Sequence, residues 1–263
     1  MKAFKIIALT ICFISTLAVE AQINMNIYQT NGNVIQIPLS NIDSITYTEG
    51  IASSPGTGVT FDGYTYPSIV LGNGQEWMSE NLRSTVYANG DPIQNVPDSA
   101  QWTNLGTGAW VHCDNNSQNE TQFGKLYNGF AILDSRNVCP NGWHVPTLTE
   151  WSTLINYIDP NANGGTTLPN GAGGVLKSVG LQYWQSPNTG ATNELGFSGL
   201  PGGLRQSDAN FGDCNVGFSG YWWTTSEYST NIYWDIVLVA NETSVIISQN
   251  YPSNGFSVRC IKD

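Results

Sequence analysis

Charge is what this 263-residue chain has least of: Asp, Glu, Lys and Arg together make up 11% of it, with nine basic residues against twenty acidic ones. The net charge is −11, and Lys2 and Lys5 stand apart at the start, so no Lys/Arg cluster is left to neutralise phosphates. That excludes nucleic acid as a partner, and the same deficit excludes anionic membrane surfaces. Histidine is scarcer still. A Ser-His-Asp or Cys-His site needs an imidazole beside its nucleophile, and only His112 and His144 are available. There is no periodic repeat. The apolar run from Ile6 to Val19 is too short, and too closely followed by polar residues, for a stable membrane span.

That run instead reads as the centre of a secretory signal. Lys2 and Lys5 precede it, and Val19 and Ala21 offer a cleavage site, so residues 1–21 are expected to be removed, leaving Gln22 first. Cys12 follows Ile11, where a lipobox requires a small residue, so no lipid anchor is expected. Cys113, Cys139, Cys214 and Cys260 remain, an even set in a protein bound for an oxidising compartment, and disulfides follow. Order alone leaves all three pairings of four cysteines open.

The mature chain, about 240 residues long, can bury one sizeable core, and its aromatic content favours β structure. Asn24 to Gln29 and Val34 to Leu39 largely alternate apolar and polar residues around Asn31-Gly32, a turn pair that tolerates positive φ; this predicts a β-hairpin. A third strand is predicted for Ile42 to Thr48, and Gly50 to Gly58 reads as a Gly/Ser/Pro linker. The organisation expected is thus a hairpin segment at 22–49, a linker at 50–59 and a main body at 60–263.

Within that body, Thr147-Leu148-Thr149-Glu150 has the spacing of a capping box. Behind it Leu148, Trp151, Leu154, Ile155 and Ile158 recur at three and four, one helix face, and Asp159-Pro160 ends the helix. A shorter helix is predicted from Ala172 to Ser178. Strands are predicted for Tyr221 to Ser226, Tyr233 to Val239, Ser244 to Ser248 and Phe256 to Ile261, with Asn241 in the turn between the middle two.

Six segments resemble the Fibrobacter succinogenes major paralogous domain, a family of secreted bacterial domains. They are Gln75 to Leu82 (QEWMSENL), Gly124 to Asn128 (GKLYN), Cys139 to Thr147 (CPNGWHVPT), Gly196 to Gly203 (GFSGLPGG), Gly220 to Ser226 (GYWWTTS) and Gly255 to Cys260 (GFSVRC), in the family's order. The resemblance implies an α+β, C-type-lectin-like domain of short strands and one or two helices, related to the formylglycine-generating enzymes, in which a helix follows a Pro-Thr-x-x-Glu-Trp block, here Pro146 to Trp151. It also implies a bridge between Cys139 and Cys260, which leaves Cys113 for Cys214. It supplies no biochemical activity. The related enzymes use a closely spaced cysteine pair near the chain end, and only Cys260 stands there, so their copper-dependent oxidase chemistry is not expected.

For chemistry, His144 is expected to be bonded into its turn and His112, beside an oxidised Cys113, to hold no zinc. Glycosidase chemistry needs paired carboxylates. Glu150 is taken up as a cap, and Glu194, Asp208, Asp213, Glu227 and Asp235 are expected on the solvated surface. Asp114 to Glu120 concentrates hard oxygen ligands, so calcium is considered, but a flexible polar loop is the expectation. The aromatics argue best for binding. Trp222 and Trp223 are adjacent on a predicted strand, so alternation is expected to turn one inward and one outward. Trp184, Trp234 and, in the Gly-Gly-Leu-Arg segment, Arg205 are further contact candidates, alongside Trp102 and Trp110. The reading is a secreted or surface-displayed, non-catalytic module that recognises a glycan or a surface protein, with a structural role at the cell surface as the alternative.

Overall fold

The computed structural model describes residues 24–28, 33–41, 51–162, 171–208 and 216–263. The leader, the Asn31-Gly32 turn, the predicted strand from Ile42 to Thr48, and both Asp213 and Cys214 lie outside the described residues. The chain divides into two units, Met1–Glu49 and Gly50–Asp263. In the first, β1 (Asn24–Tyr28) and β2 (Val34–Pro38) pair antiparallel in the expected hairpin, with Ile27 opposite Ile35. Val34, Ile35 and Leu39 are exposed there.

The second unit holds many short strands and few short helices. Its first strand, β3 (Ser53–Pro55), falls inside the predicted linker. Those residues are not a tether: they pair antiparallel with β6 (Ser68–Leu71), beyond the hairpin of β4 (Val59–Phe61) and β5 (Tyr64–Tyr66). Then come β7 (Glu76–Met78), β8 (Gln94–Asn95), α1 (Ser99–Thr103), β9 (Ala109–Val111), α2 (Glu120–Phe123), β10 (Leu126–Asn128), α3 (Gly129–Ile132) and β11 (Trp143–His144). The C-terminal half adds α4 (Leu148–Ile158), α5 (Ala172–Leu176), β12 (Ser219–Ser229), β13 (Ile232–Val239), β14 (Ile246–Asn250), β15 (Gly255–Phe256) and β16 (Ile261–Lys262). Three sheets organise them, in the orders β11-β16-β7-β6-β3, β15-β10-β9-β8 and β12-β13-β14. The run predicted as one strand from Phe256 to Ile261 is divided between two of these sheets, as β15 and β16.

Helix α4 forms where its local signals place it. Thr147 Oγ1 accepts from the Glu150 amide at 3.2 Å, and the Glu150 carboxylate accepts from the Thr147 amide at 2.7 Å, so two orphan donors of the first turn are satisfied reciprocally. A third, the Leu148 amide, donates to Ser226 Oγ on β12. The buried face is Trp151, Leu154 and Ile155. Among the described residues no helix is long and apolar enough to cross a membrane.

Two large hydrophobic cores lie on opposite sides of β12. The first gathers Trp77, Trp151, Leu154, Phe197, Trp222, Ile236 and Leu238; the second gathers Met78, Tyr127, Trp143, Trp223, Phe256 and Val258. Strand β7 is shared in the same way, with Trp77 in one core and Met78 in the other. Cys139 and Cys260 are joined in the second core by a disulfide, with Cα atoms 6.0 Å apart. It closes a loop of 121 residues, for which the chain-entropy relation gives about 5 kcal/mol of destabilisation of the unfolded chain. Cys113 is likewise disulfide-bonded.

Candidate functional site

Both tryptophans of the Tyr-Trp-Trp segment are fully buried, which corrects the expectation that one faces out. Alternation still operates, but β12 has a core on each side. It sends Trp222 into the first and Trp223 into the second. Trp222 Nε1 donates to Asn81 Oδ1 at 2.9 Å, and Trp223 Nε1 to the Tyr127 carbonyl at 2.8 Å, so neither indole is left with an unpaired donor. Trp184 and Trp102 are buried as well and donate to the Gly199 and Ser253 carbonyls. Trp110 is also buried. Trp234 is half-buried against the first core, in edge-to-face contact with the exposed Tyr228.

Arg205, expected to be a surface contact residue, has no exposure at all. Its guanidinium donates to the Val96 and Pro97 carbonyls at 2.9 and 3.1 Å and lies 4.5 Å from the Trp102 ring centre. Its main chain exchanges two 2.8 Å hydrogen bonds with Gly255. At Gly255 a Cβ would stand 3.0 Å from the Trp102 ring, closer than ordinary contact, so a larger residue would press on that ring. Arg205 therefore anchors the segment on either side of itself, and those neighbours face a cleft.

The cleft encloses about 530 Å³ and is lined by Leu204, Gln206 and Ser207 on one side and by Tyr251 and Asn254 on the other, with Tyr221, Asn250 and Phe256 between them. The second wall is a tight turn closed by the Asn254 amide on the Tyr251 carbonyl at 3.0 Å. It is pinned by the Trp102 indole on the Ser253 carbonyl at 2.8 Å and by the Gly129 amide on the Pro252 carbonyl at 2.7 Å. Beneath the cleft runs an aromatic column. Trp223 and Phe256 have centroids 4.3 Å apart, and Phe256 stacks on Tyr221 at 5.3 Å with 24° between planes. The ring that β12 brings to the cleft is Tyr221, and Trp223 lies below it in the column. Tyr251, 58% exposed, adds a second ring on the rim. Neither tyrosine is among the aromatic contact candidates that the sequence offers, all of which are tryptophans. The available signal was period 2 from Trp223 back to Tyr221.

Behind Asn250, on β13, lies Asp235, expected on the surface but wholly buried. It accepts from Ser248 Oγ at 2.6 Å and Asn250 Nδ2 at 2.8 Å. Burial raises its carboxyl to about 6 against the lowering effect of those two bonds. Glu194, Asp208 and Glu227 are exposed, as expected.

On the other side of β12 a second buried polar centre gathers four of the six segments that carry the family resemblance. Arg259, fully buried, donates to Asn81 Oδ1 through Nε and Nη2 at 3.1 and 2.7 Å, to the Phe197 carbonyl and to the Ser198 carbonyl at 3.4 Å. Asn81 also accepts from Trp222 and donates to the Phe123 carbonyl at 2.9 Å. Gly124, next to Phe123, has φ of 75° and stands where a Cβ would meet the Leu82 carbonyl at 2.7 Å, a close approach that admits only glycine. Burial pulls the Arg259 guanidinium down to about 9, so it stays charged at neutral pH. Among the described residues it has no carboxylate partner.

The remaining candidates resolve into structure. His144 is clamped between Asp263 Oδ1 (2.6 Å) and Glu150 Oε1 (2.8 Å). Burial disfavours its imidazolium, but the two carboxylates outweigh that and hold its pKa above the usual value. His112 Nδ1 lies 3.2 Å from Glu120 without hydrogen-bond geometry, and burial lowers its pKa. In the polar loop considered for calcium, Glu120 is paired to Lys125 at 2.6 Å, while Asn115 and Asn119 donate to the Pro97 and Cys113 carbonyls. Among the described residues no three His, Cys, Asp or Glu side chains converge as a metal site.

The fold is thus an α+β domain whose recurrent segments meet in its interior, with an open cleft outside it. The family model of the Fibrobacter succinogenes major domain matches residues 70–262, and the chain belongs to that family. No curated protein and no solved structure matches the chain.

Proposed function

We propose that this protein is a secreted or surface-displayed, non-catalytic binding module of C-type-lectin-like fold that takes a glycan in the cleft between Leu204–Ser207 and Tyr251–Asn254. The observation that carries the reading is the pairing of aromatic faces with amides in one open site. Tyr221 and Tyr251 offer ring surface to the apolar face of a sugar, and Gln206, Ser207, Asn250 and Asn254 offer hydrogen bonds to its hydroxyls. Among the described residues no carboxylate lines the cleft, whereas glycoside cleavage needs two. The lectin-like fold is supported by the helix behind Pro146 to Trp151 and by the bridge from just ahead of it to the chain's last segment. Export is supported by the apolar run behind Lys2 and Lys5 and by the disulfide, a bond that persists in oxidising compartments.

The test is a glycan-array and polysaccharide pull-down screen on the oxidised protein, with and without EDTA. Tyr251→Ala is expected to weaken any hit at least tenfold, about 1.4 kcal/mol, and Tyr221→Ala to do the same. Hits that survive both substitutions place binding elsewhere, and a screen without hits removes the glycan reading in favour of a protein partner or a structural role. EDTA sensitivity would bring calcium back.

A further inference from the structure

One wall of the cleft carries a directional chain of hydrogen bonds that begins at a buried charge. Asp235 on β13 is opposite Ser248 on β14, and Tyr233, two residues earlier, is opposite Asn250. An ionised carboxylate can only accept, so Ser248 Oγ and Asn250 Nδ2 are both compelled to donate to it. The Asn250 amide is thereby fixed end for end. Its nitrogen faces Asp235, and its oxygen accepts from Asn254 Nδ2 at 2.8 Å. Asn254, which lines the cleft, is oriented in turn: its nitrogen is turned to Asn250, so its oxygen is the end that can accept from a neighbour.

Among the described residues nothing ionic bonds to Asp235. The titratable groups on its side of the sheet are Tyr221, Tyr233 and, at the exposed end of β12, Glu227; none bonds to it, and Tyr233 is raised by burial and by Glu227. Of the elements packed against β12, α3 and β15 carry no ionisable side chain, and Glu150 of α4 is held by Thr147 and His144.

We infer that Asp235 is the positioning residue of the cleft: when ionised it fixes Asn250 and, through it, Asn254, so that this wall accepts hydrogen bonds, and when protonated it releases that direction. A ligand group seated against the Asn254 oxygen is then a donor, a hydroxyl or an ammonium. The ligand part of this inference rests on the glycan reading above; the relay itself does not. Protonation of Asp235 lets one of its oxygens donate, so Ser248 is free to rotate and Asn250 to turn over.

The relay is tested without any ligand, by following the side-chain amide ¹⁵N–¹H signals of Asn250 and Asn254 in the oxidised protein from pH 4 to 8. Both are expected to move with one shared midpoint, and both to stand still in Asp235→Asn. Should that variant not fold, Asn254→Ala removes only the last member and is expected to leave the Asn250 titration in place. An Asn254 signal that ignores the Asn250 midpoint, an Asn250 titration lost in Asn254→Ala, or a titration that persists in Asp235→Asn would each overturn the relay. A second arm applies the array to wild type and Asp235→Asn at pH 7. The expected result is a fall of about tenfold for hydroxyl- or ammonium-bearing ligands, and equal binding by the two proteins would show that the relay does not read the ligand. An array silent for both removes the glycan reading and the ligand assignment, while the NMR result still decides the relay.

Discussion

Two charges of opposite sign lie on opposite sides of β12, and among the described residues each is buried without a counterion. Arg259 sits on the Trp222 side and Asp235 on the Trp223 side, and both have no exposure. Both are satisfied by neutral groups, with an asparagine as principal partner: Asn81 presents its oxygen to the cation, and Asn250 presents its nitrogen to the anion. Lys177 repeats the first solution, with its ammonium 2.7 to 3.0 Å from the Thr189, Val239 and Glu242 carbonyls. The difference lies in where each network ends. The Arg259 network ends on the main-chain carbonyls of Phe197, Ser198 and Phe123, in two separate segments of the interior, so it holds the scaffold together. The Asp235 network ends at a cleft, so its orientation can be read by something outside.

That contrast is most severely tested at Arg259. Arg259→Met keeps the bulk but leaves Asn81 Oδ1 with the Trp222 indole alone and strands the Phe197 and Ser198 carbonyls in the interior, for an expected loss of about 3–5 kcal/mol in urea unfolding. A loss below about 1 kcal/mol would show the centre to be dispensable. Asp235→Asn should instead change how stability depends on pH. Because the folded pKa is raised, to about 6 from 3.8, Asp235 favours the folded state fully below pH 3.8 and loses that contribution as pH rises through 6. The total is about 3 kcal/mol. The stability curve of Asp235→Asn between pH 4 and 6 should lack this fall, and parallel curves would show Asp235 to be solvated. The smallest effect belongs to His144, a half-exposed charge with real counterions. Its raised pKa makes its clamp with Glu150 and Asp263 fully stabilising below about 6.5 and progressively lost above the folded value. His144→Gln should therefore lower the melting temperature slightly at pH 5.5 and not at pH 9, an effect under about 1 kcal/mol. A deficit that persists at pH 9 would mean the loss is packing and not charge.

How much of this was legible in the sequence depended on range. Helix α4 was readable because its cap, its apolar spacing and its stop are all local. The bridge between Cys139 and Cys260 came from the family resemblance. Arg259 and Asn81, 178 positions apart, carry no local sign that they meet. Arg205 and Asp235 were placed on the surface because charged residues usually belong there. The corrective clue was Asp235's setting, Tyr-Trp-Asp-Ile-Val-Leu-Val, an acid inside a strand otherwise apolar. Trp222 and Trp223 failed for a tertiary reason, since periodicity separates two faces but does not say that both are covered. The Ser53–Pro55 strand failed because Ser and Pro read as linker, yet an edge strand tolerates them.

The two walls of the cleft are held from behind, through the guanidinium and main chain of Arg205 and through the carbonyls of Pro252 and Ser253. The side chains of Ser207 and Tyr251 take no part in those contacts. Ser207 and Tyr251 are accordingly positions at which a combinatorial library can be built on a fixed frame, with new recognition selected while the oxidised, folded state is retained.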